Sequence, residues 1–180
     1  RHSGAASFSV RKSVASGVIY SLPTANQASC DGIYYTFDCP TRVNAIDYWV
    51  KSDTLADANG VPLQAGTLAV GVSSTSCDAV HLVSAVSGNG TSFVANANTV
   101  VSPTRRVKNA WHHVHVDILW SSKELIISVD GLAHLETVPF VCGQACTQTV
   151  GSTGWNVSMH ASTVRALFLY NDSPGVQSWW

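Results

Sequence analysis

From Trp111 to Val129 the chain alternates polar and apolar residues, and this run limits the fold more than any other stretch. His112, Val114, Val116, Ile118 and Trp120 form one set, while Trp111, His113, His115, Asp117 and Leu119 form the other. Leu125, Ile127 and Val129 continue the alternation beyond Ser121-Ser122. Residues two apart on an extended chain share a face, so a period of two built on β-branched residues specifies strands with one dry side. The run reads as a hairpin, Trp111–Trp120 turning through Ser121-Ser122 into Lys123–Val129. Val114, Val116, Ile118, Leu125, Ile127 and Val129 are its expected core set. Asp130-Gly131 then makes a second turn, because glycine accepts positive φ at little cost.

The rest of the chain repeats short apolar runs between turn formers, the pattern of an all-β domain. Further strands are expected at Ala6–Val10, Val18–Ser21, Ile33–Phe37, Ala45–Lys51, Gly66–Val72, Ala79–Ser84, Ser92–Asn96, Leu132–Thr137, Trp155–His160 and Val164–Tyr170. Leu22–Ser29, Ser52–Gln64, Ser87–Gly90, Asn98–Asn109 and Pro139–Gly154 read as loops, with one helical turn allowed within Asp53–Gly60. No helical periodicity is sustained, and no repeat or linker divides the chain. Its 180 residues are therefore expected to form a single domain with a sizeable core. The opening Arg1-His2-Ser3 has neither Met nor an apolar signal core, so a processed form or a segment of a longer secreted protein is expected.

Charged residues are 12% of the chain, about half the usual share, and the net charge is −1. The densest basic cluster, Arg105-Arg106 with Lys108, reads as a solvated loop. Nucleic acid is not an expected partner, since phosphate binding needs a concentrated positive field. No apolar run is long enough to span a bilayer, so membrane insertion is not expected either.

Five cysteines are present: Cys30, Cys39, Cys77, Cys142 and Cys146. Local disulfides Cys30–Cys39 and Cys142–Cys146 are the simplest pairing and leave Cys77 over, although spacing alone leaves other connectivities open. Asn89, Asn156 and Asn171 begin Asn-x-Ser/Thr triplets. Together with the cysteines they point to a secreted or cell-surface glycoprotein.

Two phrases about sixty residues apart carry a family resemblance. One is Asn44-Ala45-Ile46-Asp47-Tyr48-Trp49-Val50-Lys51. The other runs from Trp111-His112-His113-Val114-His115-Val116 to Val129-Asp130-Gly131. With Val164-Arg165-Ala166-Leu167-Phe168-Leu169-Tyr170-Asn171-Asp172 as a closing strand, their order resembles laminin-G/pentraxin-like domains of the concanavalin A-like lectin/glucanase superfamily. The resemblance covers residues 44 to 172. It implies a two-sheet antiparallel jelly-roll sandwich that binds glycans, proteins or phospholipid headgroups, in many members with calcium.

Asp53, Asp57 and Asn59 share one loop and offer oxygens that calcium accepts, without full calcium-loop spacing; the competing reading is a solvated turn. His113 and His115 fall on one strand face roughly 7 Å apart, a spacing that serves metal sites. The family phrase already explains His113 structurally. No cofactor is otherwise expected. Of the six tryptophans, Trp49 and Trp111 are expected in the core, while Trp120, Trp179 and Trp180 are candidates for contact with ligand or partner. The only glutamates, Glu124 and Glu136, lie on different elements, so the carboxylate pair of a glycoside hydrolase is not visible and no catalytic residue is assigned. The expected function is non-catalytic extracellular recognition of a glycan or protein. The alternative is a building block of an extracellular filament, coat or multi-subunit assembly, with a glycan hydrolase third.

Overall fold

The computed structural model describes residues 9–11, 31–71, 83–96, 99–102, 104–140, 146–150, 155–159, 164–171, 173 and 175–180. Among them are fifteen strands and no helix. One sheet of seven strands holds β1 (Ser9–Arg11), β15 (Gln177–Trp179), β3 (Ala45–Ser52), β8 (His112–Leu119), β9 (Glu124–Val129) and β10 (Leu132–Ala133) in that order, with β11 (Val138–Pro139) also paired to β9. A sheet of six strands holds β2 (Asp31–Thr41), β14 (Val164–Asn171), β4 (Gln64–Gly71), β5 (Ser84–Asn89), β6 (Ser92–Ala95) and β7 (Thr99–Val100) in that order. A separate ribbon pairs β12 (Cys146–Val150) with β13 (Trp155–Met159). The pairings are antiparallel, and the two sheets pack face to face as a β-sandwich.

The alternation in β8 decides which side faces the partner sheet. Val114, Val116 and Ile118 are buried with Leu125, Ile127 and Val129 of β9, as the period of two requires. They meet Leu68, Val70, Val86, Phe93, Ala95 and Val164 of the six-stranded sheet in one core cluster. Asp130 and Gly131 both take positive φ, 52° and 79°, in a two-residue turn that pairs Val129 with Leu132. Strands β3 and β8, sixty residues apart in sequence, are hydrogen-bonded neighbours with Trp49 opposite His113 and Asp47 opposite His115.

Several expectations are corrected. The β8–β9 connection is four residues, Trp120–Lys123: Leu119 pairs with Glu124, Lys123 takes φ 59°, and its N–H bonds Leu119. The stretch Asp53–Gly60 has no helical turn. Asp57 closes a tight turn there, its Oδ1 accepting the N–H groups of Asn59 and Val61 at 2.8 Å each. Ser87–Asn89 belongs to β5, and its hairpin to β6 turns at Gly90-Thr91. The region expected as a loop from Pro139 to Gly154 contains β12, and the chain's end supplies β15. The strand expected over Leu132–Thr137 shrinks to Leu132–Ala133. Val18–Ser21 and most of Ala79–Ser84 lie outside the described residues.

A buried polar network ties the two sheets together. Arg106, expected on a solvated loop, is 3% exposed, whereas its neighbours Arg105 and Lys108 are exposed. Its Nη2 donates to Ser52 Oγ on β3 and, at 3.4 Å, to the Ala65 carbonyl on β4. Its guanidinium lies 5.9 Å from the Phe93 ring. Ser52 Oγ lies 2.8 Å from Ser178 Oγ, which donates to Asn171 Oδ1 at 2.7 Å. That same oxygen accepts the Gly66 N–H at 2.8 Å. Burial pulls the Arg106 guanidinium down to about 10, leaving it protonated at neutral pH.

The guanidinium occupies the space where a side chain on residue 88 would project, so a β-carbon there must displace this buried, hydrogen-bonded group. Gly88→Ala is expected to destabilise the domain by about 1–3 kcal/mol, the usual cost of overpacking. In an Arg106→Ala background the same change should cost less than about 1 kcal/mol. Denaturant unfolding of the four members of this cycle measures the coupling.

Candidate functional site

The seven-stranded sheet presents an open face. Alternate residues of β3 and β8 that point away from the core, Asp47, Trp49, Lys51, His113, His115 and Asp117, are half-buried or exposed. By contrast, β4 at the centre of the six-stranded sheet is buried from Ala65 to Gly71, on both of its faces. The side chains available on the first face fall into rows across the strands.

One row is a cation between two indoles. Trp179 of β15 pairs with Lys51 of β3, and Trp111 follows Lys51 on the other side, one residue beyond the Val50–His112 pair. The Lys51 ammonium lies 4.4 Å from the Trp179 ring centroid and 5.2 Å from that of Trp111, within cation–π range of both. In the next row Trp49 stacks on His113, with centroids 5.0 Å apart and planes 25° from parallel.

The third row is polar. Asp47 Oδ1 lies 2.9 Å from His113 Nε2 and 2.8 Å from His115 Nδ1, and His115 Nε2 lies 3.1 Å from Asp117 Oδ1. Each ring nitrogen of His115 thus faces a carboxylate oxygen, an arrangement that favours the imidazolium form. Hydrogen bonding to Asp47, reinforced by Asp117, holds His115 above the usual histidine range. The same His115 bond, with help from His113, holds the Asp47 carboxyl below its ordinary value.

His112 points the other way and does structural work. It is 5% exposed, sits edge-on to Phe93 with centroids 5.3 Å apart, and its Nε2 accepts the Val107 N–H at 3.1 Å. The proton therefore resides on Nδ1, which donates to Asp130 Oδ2 at 2.8 Å.

The tryptophans are distributed otherwise than sequence reasoning assigned them. Trp49 and Trp111, expected in the core, are half-buried, with Trp49 on the outward side of β3. Trp120, expected to meet a ligand, packs against the core. Its Nε1 donates to the Val43 carbonyl at 2.9 Å, and its ring meets Phe140 edge-on at 5.5 Å. Trp180 also packs against the core, so of the three candidates only Trp179 joins the open face. The signal that could have placed Trp49 and Trp111 was parity: each has the outward phase of its strand, two residues from Asp47 and from His113 respectively.

The other candidates find local uses. Asp53 Oδ1 accepts the Gln177 N–H at 2.9 Å and the Thr54 hydroxyl at 3.0 Å, while Asp57 closes its own turn and Asn59 is exposed. His113 and His115 converge on a carboxylate oxygen, and among the described residues no three His, Cys, Asp or Glu side chains gather where a metal ion could sit. Asn171 is fully buried and its Nδ2 donates to the Val176 carbonyl at 3.3 Å, so its amide is not presented for a glycan in the folded domain. Asn89 is half-buried at the end of β5. Cys30, Cys77 and Cys142 lie outside the described residues, as do the side chains of Cys39, Cys146 and Asn156, and with them the expected disulfides.

No family model matches the chain, and no curated protein matches it in sequence. Among solved structures, a sialidase chain is similar in fold, with a TM-score of 0.53 and 7% sequence identity. The similarity covers 84% of this chain and 14% of the sialidase chain, so it concerns a small part of that protein.

The His115 geometry carries a pH dependence of definite sign. A histidine raised in the folded state stabilises below its unfolded value of about 6.5, and that contribution is lost as pH rises through the folded value. Asp47 does the reverse, losing its contribution as pH falls through its depressed value. His115→Gln should therefore lower the melting temperature near about pH 5.5 and have no effect near about pH 9. The loss should be small, since these side chains are partly exposed and screened. Thermal unfolding of both proteins across that range measures it.

Proposed function

We propose that this domain is a non-catalytic extracellular recognition module, of the laminin-G/pentraxin-like, concanavalin A-like kind, that holds a glycan on the open face of its seven-stranded sheet. The observation that carries this reading is the convergence of Trp49, Trp111 and Trp179 on one accessible sheet face, next to the Asp47–His115–Asp117 row. Indole faces stack on the apolar faces of sugar rings, and carboxylates accept hydrogen bonds from sugar hydroxyls. Along β3 the distance from Lys51 to Asp47 is roughly 13 Å at strand rise, an extended platform suited to an oligosaccharide rather than one small molecule. The name of the similar solved chain, a sialidase, supports a carbohydrate setting. The cysteines and sequons support a secretory route.

A glycosidase needs one carboxyl group kept protonated as the acid. Asp47 is held the other way, below its ordinary value, and does not fit that acid's role. Calcium is outside the proposed contact, which uses indoles, imidazoles and carboxylates already paired to protein groups.

A second reading, assembly with another protein, has separate support. Beside β7 and β10 lies a groove of about 550 Å³ lined by Val100, Ser102, Leu132, His134, Leu135 and Glu136. Leu135 on its wall is fully exposed, and Val100 and Leu132 are each 54% exposed.

A broad glycan array, run with calcium and again with a chelator, tests the first reading. Specific binding is expected in both conditions, and Trp49→Ala or Trp111→Ala should weaken it by at least roughly tenfold, the loss typical of a hot-spot aromatic. A blank array in both conditions, with the fold intact by circular dichroism, sinks the glycan reading in favour of protein assembly. Turnover of a bound oligosaccharide would replace the binding module with a hydrolase.

A further inference from the structure

We infer that the glycan held on this face carries an anionic group, carboxylate or sulfate, and that the Lys51 ammonium between Trp111 and Trp179 is its receptor. The inference rests on the proposed sheet-face reading and adds the ligand's charge and orientation.

Lys51 is half-buried on the open face, and its ammonium lies over the two indole rings without an ion pair to any described carboxylate. A cation–π contact orients an ammonium without neutralising it. The carboxylates of the face are distant or engaged. Asp47 is four residues away along β3, roughly 13 Å at strand rise, beyond a Debye length of about 8 Å at physiological salt. It is also bonded to His113 and His115. Asp117 lies further along the same direction and meets His115, while Asp130 holds His112 and the His113 N–H. Asp53, two residues beyond Lys51, places Oδ1 on Gln177 and Thr54. The Lys51 end of the platform thus carries an ammonium that no described carboxylate ion-pairs, flanked by two indole rings.

The opposite end has the opposite preference. Asp47 and Asp117 together outnumber the single His115 cation between them, so this end disfavours an anion while its oxygens accept hydrogen bonds from neutral hydroxyls, and the face is polarised along β3. An acidic sugar at the Lys51 end can place its ring against Trp111 or Trp179 and its anionic oxygen on the ammonium. The following sugars then run over Trp49 towards Asp47. A reversed ligand would set its acid against two carboxylates, which fixes the direction of binding.

The test titrates the whole chain with oligosaccharides bearing a carboxylate, with others bearing a sulfate, and with the carboxyl-reduced or desulfated counterpart of each. Acidic ligands should bind more tightly than their neutral counterparts, with an advantage that shrinks as salt is added. Lys51→Met keeps an apolar stem between the indoles and removes the charge. It should weaken acidic ligands by roughly ten- to hundredfold, the worth of a charge-assisted hydrogen bond, and neutral ones by much less, so that the preference for acid disappears. Lys51→Arg should restore the preference, which excludes simple misfolding of the methionine variant. The carboxylate and sulfate arms separate the two sources of charge. Equal binding of acidic and neutral ligands, lost in Trp49→Ala, would overturn this inference while the sheet-face reading stands. Binding of neither class would overturn both.

Discussion

The structure turns on one buried cation. Arg106 lies between the sheets and, through Ser52, joins β3 to β4, β14 and β15. Among the described residues it meets no carboxylate, and its Nη1 has no hydrogen-bond partner. A desolvated guanidinium held by a hydroxyl and a carbonyl is an expensive arrangement, and its value lies in geometry more than in net stability. Every group in the network has few acceptable positions, because a displaced member would leave a polar atom buried without a partner. The glycine at residue 88 shows how closely the surroundings are fitted to it.

That internal constraint reaches the outer surface through strand parity. Ser52 and Ser178 face inward and form one rung of the β3–β15 pair; Lys51 and Trp179 face outward and form the adjacent rung. A register slip of one residue would expose the serines and bury the lysine and indole together, so the network that fixes the inner pair fixes the outer pair as well. The dry alternation of β8 does the same for Trp49, His113 and His115. The candidate site is thus the reverse side of the core. Its side chains sit on hydrogen-bonded strands rather than on loops, and their spacing follows from the sheet.

The same face combines two kinds of electrostatics. At one end aromatic faces hold a cation without neutralising it; at the other a histidine bridges two carboxylates. Both devices use contacts across neighbouring strands, where side chains on one face approach within about 5 Å. The apolar groove beside β7 and β10 is built differently, from short strands and an exposed turn, and presents leucine and valine without comparable polar organisation.

What the sequence by itself determined was local and periodic. The alternation of Val114, Val116 and Ile118 with Leu125, Ile127 and Val129 named the core of two strands, and Asp130-Gly131 named a turn with two positive φ values. Both follow from the backbone's own geometry, in which period and φ preference are properties of neighbouring residues. Only the tertiary structure decided the rest. It placed β15, from the end of the chain, beside β3, and it buried Arg106, which in sequence looks like its exposed neighbours Arg105 and Lys108. It also exchanged the expected places of the tryptophans, setting Trp120 against Phe140 and leaving Trp49 and Trp111 half-open. Strand pairing across long separations depends on which surfaces bury best together, and no residue carries that information in its own neighbourhood. The face that gathers Lys51, Trp111 and Trp179 from three distant segments exists only once the sheet has closed around its buried cation.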